Sequence, residues 1–224
     1  MRSPAYGPWD EYAADARALH ELAEGRYGDH RGESLPLLQA DIAALCRATT
    51  VALSAAFERY IVELFSVLAV PAGLTDYRVQ QHLLEFSSGT ISQRLARALA
   101  GGVGVLGLTQ TEASALRAEA GGPRRRFANP NARNVRLLFQ LVFPGDDIWA
   151  GVCTLSNSEE MVQGLVNRQQ DERHALAHGR DRKVPSPAEV GSRLAEFELI
   201  VCALDDSAAD LTRRRLGECP WQTT

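Results

Sequence analysis

The sequence predicts an all-α protein. Apolar residues recur every three or four positions along most of the 224 residues, which is the spacing that gives a helix one apolar face. Serine or threonine is repeatedly followed three residues later by glutamate, a pattern that caps helix starts. The run Val103–Leu108 is the one candidate strand, and it carries too much glycine. We expect a single helical domain over residues 1–224, with two long helix pairs and short helices inserted between them.

The first two helices are long and are separated by a polar loop at His30–Glu33. The first is predicted from about Trp9 to Glu24, with Tyr12, Ala13, Ala16, Leu19 and Leu22 on its apolar side. The second is predicted from about Pro36 to Ala69, where Pro71-Ala-Gly would close it. Its apolar stripe comprises Leu38, Ile42, Leu45, Thr49, Leu53, Phe57, Tyr60, Leu64 and Leu68. A helix about 50 Å long would be central to the domain.

The middle of the chain predicts shorter helices between glycine-rich and basic loops. Thr75–Ala100 is expected to be helical with a break at Ser87-Ser-Gly, and Gly101–Gly107 is expected to be a turn or loop. A capping box then predicts a short helix over Thr109–Ala120. The stretch Gly121–Arg126 contains two glycines, a proline and three arginines, so it predicts a basic loop.

Two further helices follow before the last one. Pro130–Leu141 is predicted to be short and to stop before Pro144. The pattern Ser156-x-x-Glu159 is a capping box, so it predicts the start of the next helix. That helix is expected to end at His178, with a glycine placed to terminate it.

The last helix has the strongest start signal in the chain. Ser186 is placed to cap the helix, Pro187 suits the first helical position, and Glu189 completes a capping box. The helix is predicted to extend to about Leu216.

Charge and composition exclude several classes of protein. The formal net charge is −4, which argues against a protein that coats DNA through overall basicity. Hydrophobic residues make up 45% and charged residues 23%, as in ordinary globular proteins. Lys183 is the only lysine, so 23 of the 24 basic residues are arginines. Each arginine can grip a phosphate through two parallel hydrogen bonds, and the acidic total leaves room for a local basic patch.

Cysteine spacing and the N-terminal sequence predict a soluble, cytoplasmic protein. The four cysteines are far apart and form no CxxC pair, which indicates neither a zinc knuckle nor a disulfide framework. Met1–Asp10 lacks the apolar core of a signal peptide. The longest uncharged stretch, Ala98–Thr111, is shorter than the roughly 20 residues that span a membrane. We expect no membrane partner and no cofactor.

The candidate chemistry lies in Asp171–Arg180, where Arg173 and His178 stand five residues apart near a predicted helix end. The simplest explanation of such a pair is a solvated helix end, where the helix dipole favours a cationic histidine. Residues five apart on an ideal helix point about 140° away from each other. The two side chains would therefore converge through the length of arginine, fraying of the last turn, or a second subunit.

The segment Arg173-His174-Ala-Leu-Ala-His178-Gly179 resembles the Arg-x4-6-His motif of the HEPN superfamily (higher eukaryotes and prokaryotes nucleotide-binding). In that motif a polar residue usually follows the arginine and glycine often follows the histidine. Leu45–Tyr60 resembles the long second helix of the bacterial HEPN group related to the RiboL-PSP type. The group's asparagine-rich turn and final helix match Asn129–Asn134 and Ser186–Glu189. The resemblance spans about Leu37–Leu211, and the Arg/His pair is its one sharp motif.

The resemblance implies a metal-independent endoribonuclease of a toxin–antitoxin or antiviral system. Such domains usually form homodimers, in which two Arg/His motifs meet in a cleft. RNA carries its own nucleophile, the 2′-OH. His178 would accept or donate that proton, and Arg173 would hold the phosphate and offset its developing charge. The implied products are a 2′,3′-cyclic phosphate and a 5′-OH. The implied partners are RNA, a second copy of the chain, and an antitoxin or another defence protein.

Residues near the motif are given supporting roles. His174 fills the polar slot after the arginine, where it would orient the site or contact RNA; the alternative is an exposed helix residue. His174 and His178 share a helix face, as zinc-binding histidines do, but Ala175 stands where HExxH has glutamate, so no metal is expected. The arginines expected to contact RNA are Arg168, Arg180, Arg182, Arg124, Arg125 and Arg126. For the last three, a solvated loop is the alternative.

Other functions stay open at this stage. The chain could be a non-catalytic dimerisation or RNA-binding subunit of a larger defence complex, or a scaffold or antitoxin that grips a partner helix. Glu58 and Arg59 could form a surface ion pair or a dimer contact near the cleft. HEPN toxins that are inactivated by AMP transfer carry a tyrosine two residues after the histidine. Arg180 stands there instead, so that regulation is not expected.

Overall fold

The computed structural model describes residues 2–29, 36–75, 129–140, 142–178, 184–217 and 221. Within these residues the predicted all-α fold class is confirmed, since they form five helices and no strand. The helices are α1 (Tyr6–Asp29), α2 (Pro36–Thr75), α3 (Ala132–Phe139), α4 (Glu159–Ala177) and α5 (Pro187–Leu216). The elements predicted between residues 76 and 128, and the loop at His30–Glu33, lie outside the described residues.

The central helix, α2, packs antiparallel to α1. Trp9 near the start of α1 meets Tyr60 in the second half of α2, with ring centroids 6.3 Å apart in an edge-on arrangement. Ala23 near the end of α1 packs in one apolar cluster with Cys46, in the first half of α2. Aromatic rings and small residues therefore alternate along this contact, which lets the two helices lie close together.

The last helix, α5, runs parallel to α2 and antiparallel to α4. Val190 at its start packs in the cluster with Cys46, and further along the Tyr60 hydroxyl donates to the carbonyl of Val201 at 3.1 Å. Ser207 near the end of α5 donates to the carbonyl of Ile148, in the turns that precede α4. The C-terminal half of α4 consequently lies near the start of α5.

The apolar stripe predicted for α2 is its core face. Thr49, Leu53, Phe57, Tyr60, Leu64 and Leu68 are buried, and Leu38, Ile42 and Leu45 are half-buried. The hydroxyl of Thr49 is satisfied inside its own helix, because it donates to the carbonyl of Leu45 at 2.8 Å. One polar residue is thereby accommodated in an otherwise apolar stripe.

The predicted apolar side of α1 is partly wrong. Ala13 and Ala16 are buried as expected, but Tyr12 is 40% exposed and Leu22 is 58% exposed. The buried side of α1 includes Trp9 and three alanines, Ala13, Ala16 and Ala23, so α1 packs through one large ring and a row of small side chains. Such a row carries little hydrophobicity per residue, which is why larger apolar neighbours dominated the sequence pattern.

Two predicted helix boundaries are corrected by the structure. The stop at Pro71 is wrong, because α2 continues to Thr75. Proline removes one hydrogen-bond donor, but its fixed φ is compatible with a helix. The capping box at Ser156 is also wrong, since Ser158 occupies the cap position and its side chain makes no capping bond. Glu159 and Glu160 lie in the first turn of α4 instead, where their charge favours the positive end of the helix dipole.

The predicted capping box of α5 is confirmed. The Ser186 hydroxyl accepts from the backbone N–H of Glu189 at 3.3 Å, and the Glu189 carboxylate accepts from the backbone N–H of Ser186 at 2.8 Å. The helix ends at Leu216, as predicted, and Gly217 follows with a φ of 81°. Glycine suits this left-handed position because it has no Cβ.

The asparagine-rich turn organises α3 and joins it to α4. The Asn131 side chain caps α3 by accepting from the N–H of Asn134 at 2.8 Å, and the Asn134 amide donates to the carbonyl of Asn129. Asn167 on α4 accepts from the N–H of Ala132 at 2.9 Å. Side-chain amides therefore fix the start of the short helix, its apolar side lies in the core, and it spans less than the predicted Pro130–Leu141.

One helix of the described chain, α2 within Leu38–Phe65, is long and apolar enough to cross a membrane by length and composition alone. The central helix of a soluble protein passes the same test. Here the apolar stripe of α2 is buried against other helices.

Candidate functional site

The Arg/His motif lies at the C-terminal end of α4, as the sequence predicts. His178 is the residue that ends the helix, and its N–H donates to the carbonyl of His174 at 3.1 Å. Both histidines are exposed, and their ring centroids are 4.3 Å apart. The exposed end of α4 therefore presents two adjacent imidazoles to solvent.

Arg173 does not meet His178 within one chain. No hydrogen bond joins their side chains, and neither makes a side-chain hydrogen bond to another described residue. His178 lies beside His174, while the half-buried Arg173 exerts its charge on Glu58 of α2. The sequence-based expectation that five residues of helix separate the two side chains agrees with this arrangement.

The sequence left two interpretations of Glu58 open, a surface ion pair and a dimer contact near the cleft. Its carboxyl is half-buried, and burial raises its pKa; the guanidinium of Arg173 acts in the opposite direction but is the smaller effect. Arg59, its neighbour, turns away and pairs with Glu63 at 2.9 Å, with its guanidinium also over the ring of Tyr12. Glu58 and Arg59 thus belong to different surroundings.

Two polar contacts fix α4 in place around the motif. Glu172 forms a two-pronged ion pair with Arg193 of α5. Gln169 is buried, and its amide donates to the carbonyl of Thr50 and to the hydroxyl of Ser54, both at 3.0 Å. Because Arg173 follows Gln169 by one turn of helix, these contacts also set the direction in which Arg173 leaves α4.

The α2–α4 interface leaves polar groups unsatisfied. The carbonyl oxygen of Gln169 and the amide nitrogen of Gln170 are buried without a hydrogen-bond partner. Both side chains are at most 3% exposed. Buried amide groups are normally paired, so these two atoms of α4 are exceptions.

A shallow apolar groove adjoins the motif. Its volume is about 500 Å³, and it lies between α2 and the last turn of α4. The lining residues are Arg47, Ala48, Val51, Ala52, Ala55, Leu176 and Ala177. Sequence reasoning missed this groove, although its small apolar residues recur at helical spacing beside the main stripe of α2. His178 follows directly after Ala177, so the groove leads to the candidate site.

The predicted RNA-contacting arginines divide into two groups. Arg168 is exposed on α4, one and a half turns before Arg173. Arg180, Arg182, Arg124, Arg125 and Arg126 lie outside the described residues. Arg47, at the edge of the groove, is a further cation near the motif that the sequence analysis did not single out.

Comparisons with known proteins give no relative for this chain. No protein-family model matches it, and no curated protein or solved structure matches it either. The HEPN resemblance is therefore carried by the residues quoted from the sequence, with the Arg173/His178 motif as its sharpest part.

Proposed function

We propose that this protein is a metal-independent endoribonuclease of the HEPN type. The observation that carries the proposal is the state of its two motif side chains. Arg173 and His178 stand at one exposed helix end, and neither makes a hydrogen bond to another described side chain. Groups with a purely structural role are normally paired inside the fold, whereas groups that act on a substrate stay available for it.

The chemistry follows from these two residue types. The imidazole of His178 takes the proton from the ribose 2′-OH, and the resulting oxygen attacks the adjacent phosphate. The guanidinium of Arg173 binds the phosphate oxygens and offsets the charge that they gain. The bond to the 5′ oxygen breaks and this oxygen takes up a proton, from the protonated imidazole or from water, which leaves a 2′,3′-cyclic phosphate on one fragment and a 5′-OH on the other. The reaction uses the nucleophile of RNA itself, so it requires no metal and no cofactor.

A homodimer would bring together Arg173 and His178, which lie apart within one chain. Within one chain the charge of Arg173 acts on Glu58, and His178 lies beside His174. We propose that the groove between α2 and α4 docks the same groove of a second copy across a two-fold axis. Val51 and the four alanines that line the groove would be covered, and Arg173 of one protomer would approach His178 of its partner.

A second candidate function rests on the same separation of the two side chains. If no second copy brings its His178 to Arg173, the two residues stay apart. The chain then acts as a non-catalytic RNA-binding or dimerisation subunit. Arg47, Arg168 and Arg173 would then contribute phosphate contacts only. In either case we propose a cytoplasmic protein whose partners are RNA and a protein of a toxin–antitoxin or antiviral system.

The test is RNA cleavage by the purified chain in EDTA. We expect the wild type to cut single-stranded or structured RNA and to leave 2′,3′-cyclic phosphate ends. His178→Ala and Arg173→Ala would each lower the rate by at least about a hundredfold, the range typical of losing a general base or an electrostatic stabiliser. Arg214→Ala removes an exposed arginine from the last turn of α5 and serves as the charge-matched control.

Two results would contradict the ribonuclease. One is a wild-type protein that binds RNA but never cuts it, which would favour the non-catalytic subunit. The other is cleavage that survives in His178→Ala with an unchanged rate. Circular dichroism of each variant establishes that the helices are intact before the rates are compared.

A further inference from the structure

We propose that His174 and His178 form a two-histidine site for a transition-metal ion such as Zn²⁺. Their ring centroids are 4.3 Å apart, and they are separated by four residues, so they occupy one face of the last turn of α4. Imidazole nitrogens bind zinc at about 2.0–2.1 Å. Modest rotations of two adjacent rings direct one nitrogen from each toward a shared ion, as in helical zinc motifs with the same histidine spacing.

The surroundings of the pair favour a cation. Both imidazoles are exposed, so an ion reaches them without any rearrangement of the fold. His178 ends the helix, and the helix dipole gives this C-terminal end a partial negative charge. Asp171, also exposed, lies one turn before His174 on the same side of α4.

The site holds the ion with two protein ligands. Among the described residues, no group of three histidine, cysteine or acidic side chains is placed to hold a metal. Water would fill the remaining positions, which is the arrangement of an open zinc site and not of a closed structural one. We therefore expect reversible binding that is not required for folding.

Metal binding would regulate the proposed ribonuclease, and this step rests on the proposed function. A zinc ion bound through His178 occupies a ring nitrogen that would otherwise accept the proton of the 2′-OH. It also places a second cation next to the phosphate site and holds the ring in one orientation. The bound form is consequently inactive, and removal of the metal restores cleavage.

The binding test uses ZnCl₂ and the full chain purified without a histidine tag. Isothermal titration should give one zinc ion per chain. His174→Gln removes one of the two ligands, so we expect affinity to fall by at least about tenfold. Asp171→Asn is the control, because it removes a nearby negative charge but no imidazole, and affinity should change by no more than about twofold.

Two binding results would overturn the site: a wild-type chain that takes up no zinc, or a His174→Gln chain that binds zinc as tightly as the wild type. An equal loss in Asp171→Asn and His174→Gln would also overturn it, since it would indicate general attraction to an acidic surface.

A cleavage assay separates failure of this site from failure of the ribonuclease proposal. Zinc at saturating concentration should stop RNA cleavage by the wild type, and EDTA should restore it. Zinc that binds without slowing cleavage, or that accelerates it, overturns the inhibitory role. If zinc binds but no condition gives cleavage, the metal-site proposal is supported and the ribonuclease proposal is contradicted. If RNA is cut but zinc does not bind, the metal site alone fails.

Discussion

The interface between α1 and α5 and the interface between α2 and α4 treat polar side chains in opposite ways. In the first, the Glu198 carboxylate accepts hydrogen bonds from the Tyr6 hydroxyl, the Trp9 indole and the Arg17 guanidinium. In the second, buried amide atoms of Gln169 and Gln170 have no partner, and the motif side chains make no hydrogen bond to described residues. The comparison separates side chains that hold the fold together from those available for another molecule.

The α1–α5 side also anchors the N-terminus. Asp205 is buried, and its carboxylate accepts from the backbone N–H and the hydroxyl of Ser3 and from the hydroxyl of Tyr60. The residues that precede α1 are thereby fixed to α5. Among the described residues of this side, a ring nitrogen of His20 is the one buried polar atom without a partner, and the imidazole packs against Gly191.

The difference teaches where substitutions should affect stability and where they should affect activity. A side chain whose partners all lie inside the chain leaves those partners buried and unpaired when it is removed. A side chain without internal partners leaves nothing unpaired, so its loss costs little folding free energy. The predictions below test this division.

The largest effect is expected for Asp205→Ala. It removes the acceptor of three hydrogen bonds and leaves the buried N–H and hydroxyl of Ser3 unpaired, while the Tyr60 hydroxyl keeps the carbonyl of Val201. Hydrogen bonds to a charged group contribute about 1.5–3 kcal/mol each, so the free energy of unfolding should fall by about 3 kcal/mol or more. Urea denaturation measures this loss in the free energy of unfolding. Arg173→Ala and His178→Ala are the controls and should each change that value by no more than about 0.5 kcal/mol. Equal losses in all three variants would contradict the division.

A smaller effect is expected for Gln169→Met, which has similar length and flexibility. The variant loses the bonds to Thr50 and Ser54, but it also removes the unpaired carbonyl oxygen and buries more apolar surface. These contributions nearly cancel, so the free energy of unfolding should change by less than about 1 kcal/mol. Urea denaturation of the wild type and of Gln169→Met measures this change in the free energy of unfolding. A loss above about 2 kcal/mol would show that the α2–α4 interface is as strongly held as the α1–α5 interface.

The smallest effect concerns Glu58 and the pH dependence of folding. Burial raises the pKa of its carboxyl above the usual 4.5, although Arg173 opposes this shift. A raised pKa means that the fold disfavours the ionised form, so the contribution of Glu58 to stability falls as pH rises from below 4.5 through the folded-state pKa. Glu58→Gln should remove that decline, and Arg173→Ala should raise the pKa of Glu58 further. Urea denaturation at several pH values tests the effect of Glu58→Gln, and carbon-13 NMR titration of the Glu58 carboxyl tests the effect of Arg173→Ala. An unchanged or lower pKa in Arg173→Ala would show that the two charges do not interact.

Local signals in the sequence predicted much of the fold. The capping box at Ser186 and the stripe of α2 depend only on residues a few positions apart, and both are confirmed. The end of α4 at His178 was predicted for the same reason. The exposed side of α1 was not, because an alanine-rich contact surface carries a weaker periodic signal than Tyr12 and Leu22.

The surroundings of the motif could not be predicted, because they depend on helices that are distant in sequence. Gln169 bonds to Ser54 across 115 positions, and Glu58 approaches Arg173 across a similar separation. In neither pair does the local sequence around one residue predict its contact with the other. The groove is likewise a product of packing, since Leu176 and Ala177 complete a surface that starts with Arg47.

The central claim is that Arg173 of one protomer and His178 of its partner form one RNA-cleaving site. Mixing inactive Arg173→Ala chains with inactive His178→Ala chains tests it most directly. Mixed dimers contain one site in which both residues are intact, so the mixture should recover about a quarter of wild-type cleavage. Adding Val51→Glu to both chains should abolish the recovery, whereas Leu22→Glu, on the exposed side of α1, should not. A mixture no more active than its separate components would contradict the shared site.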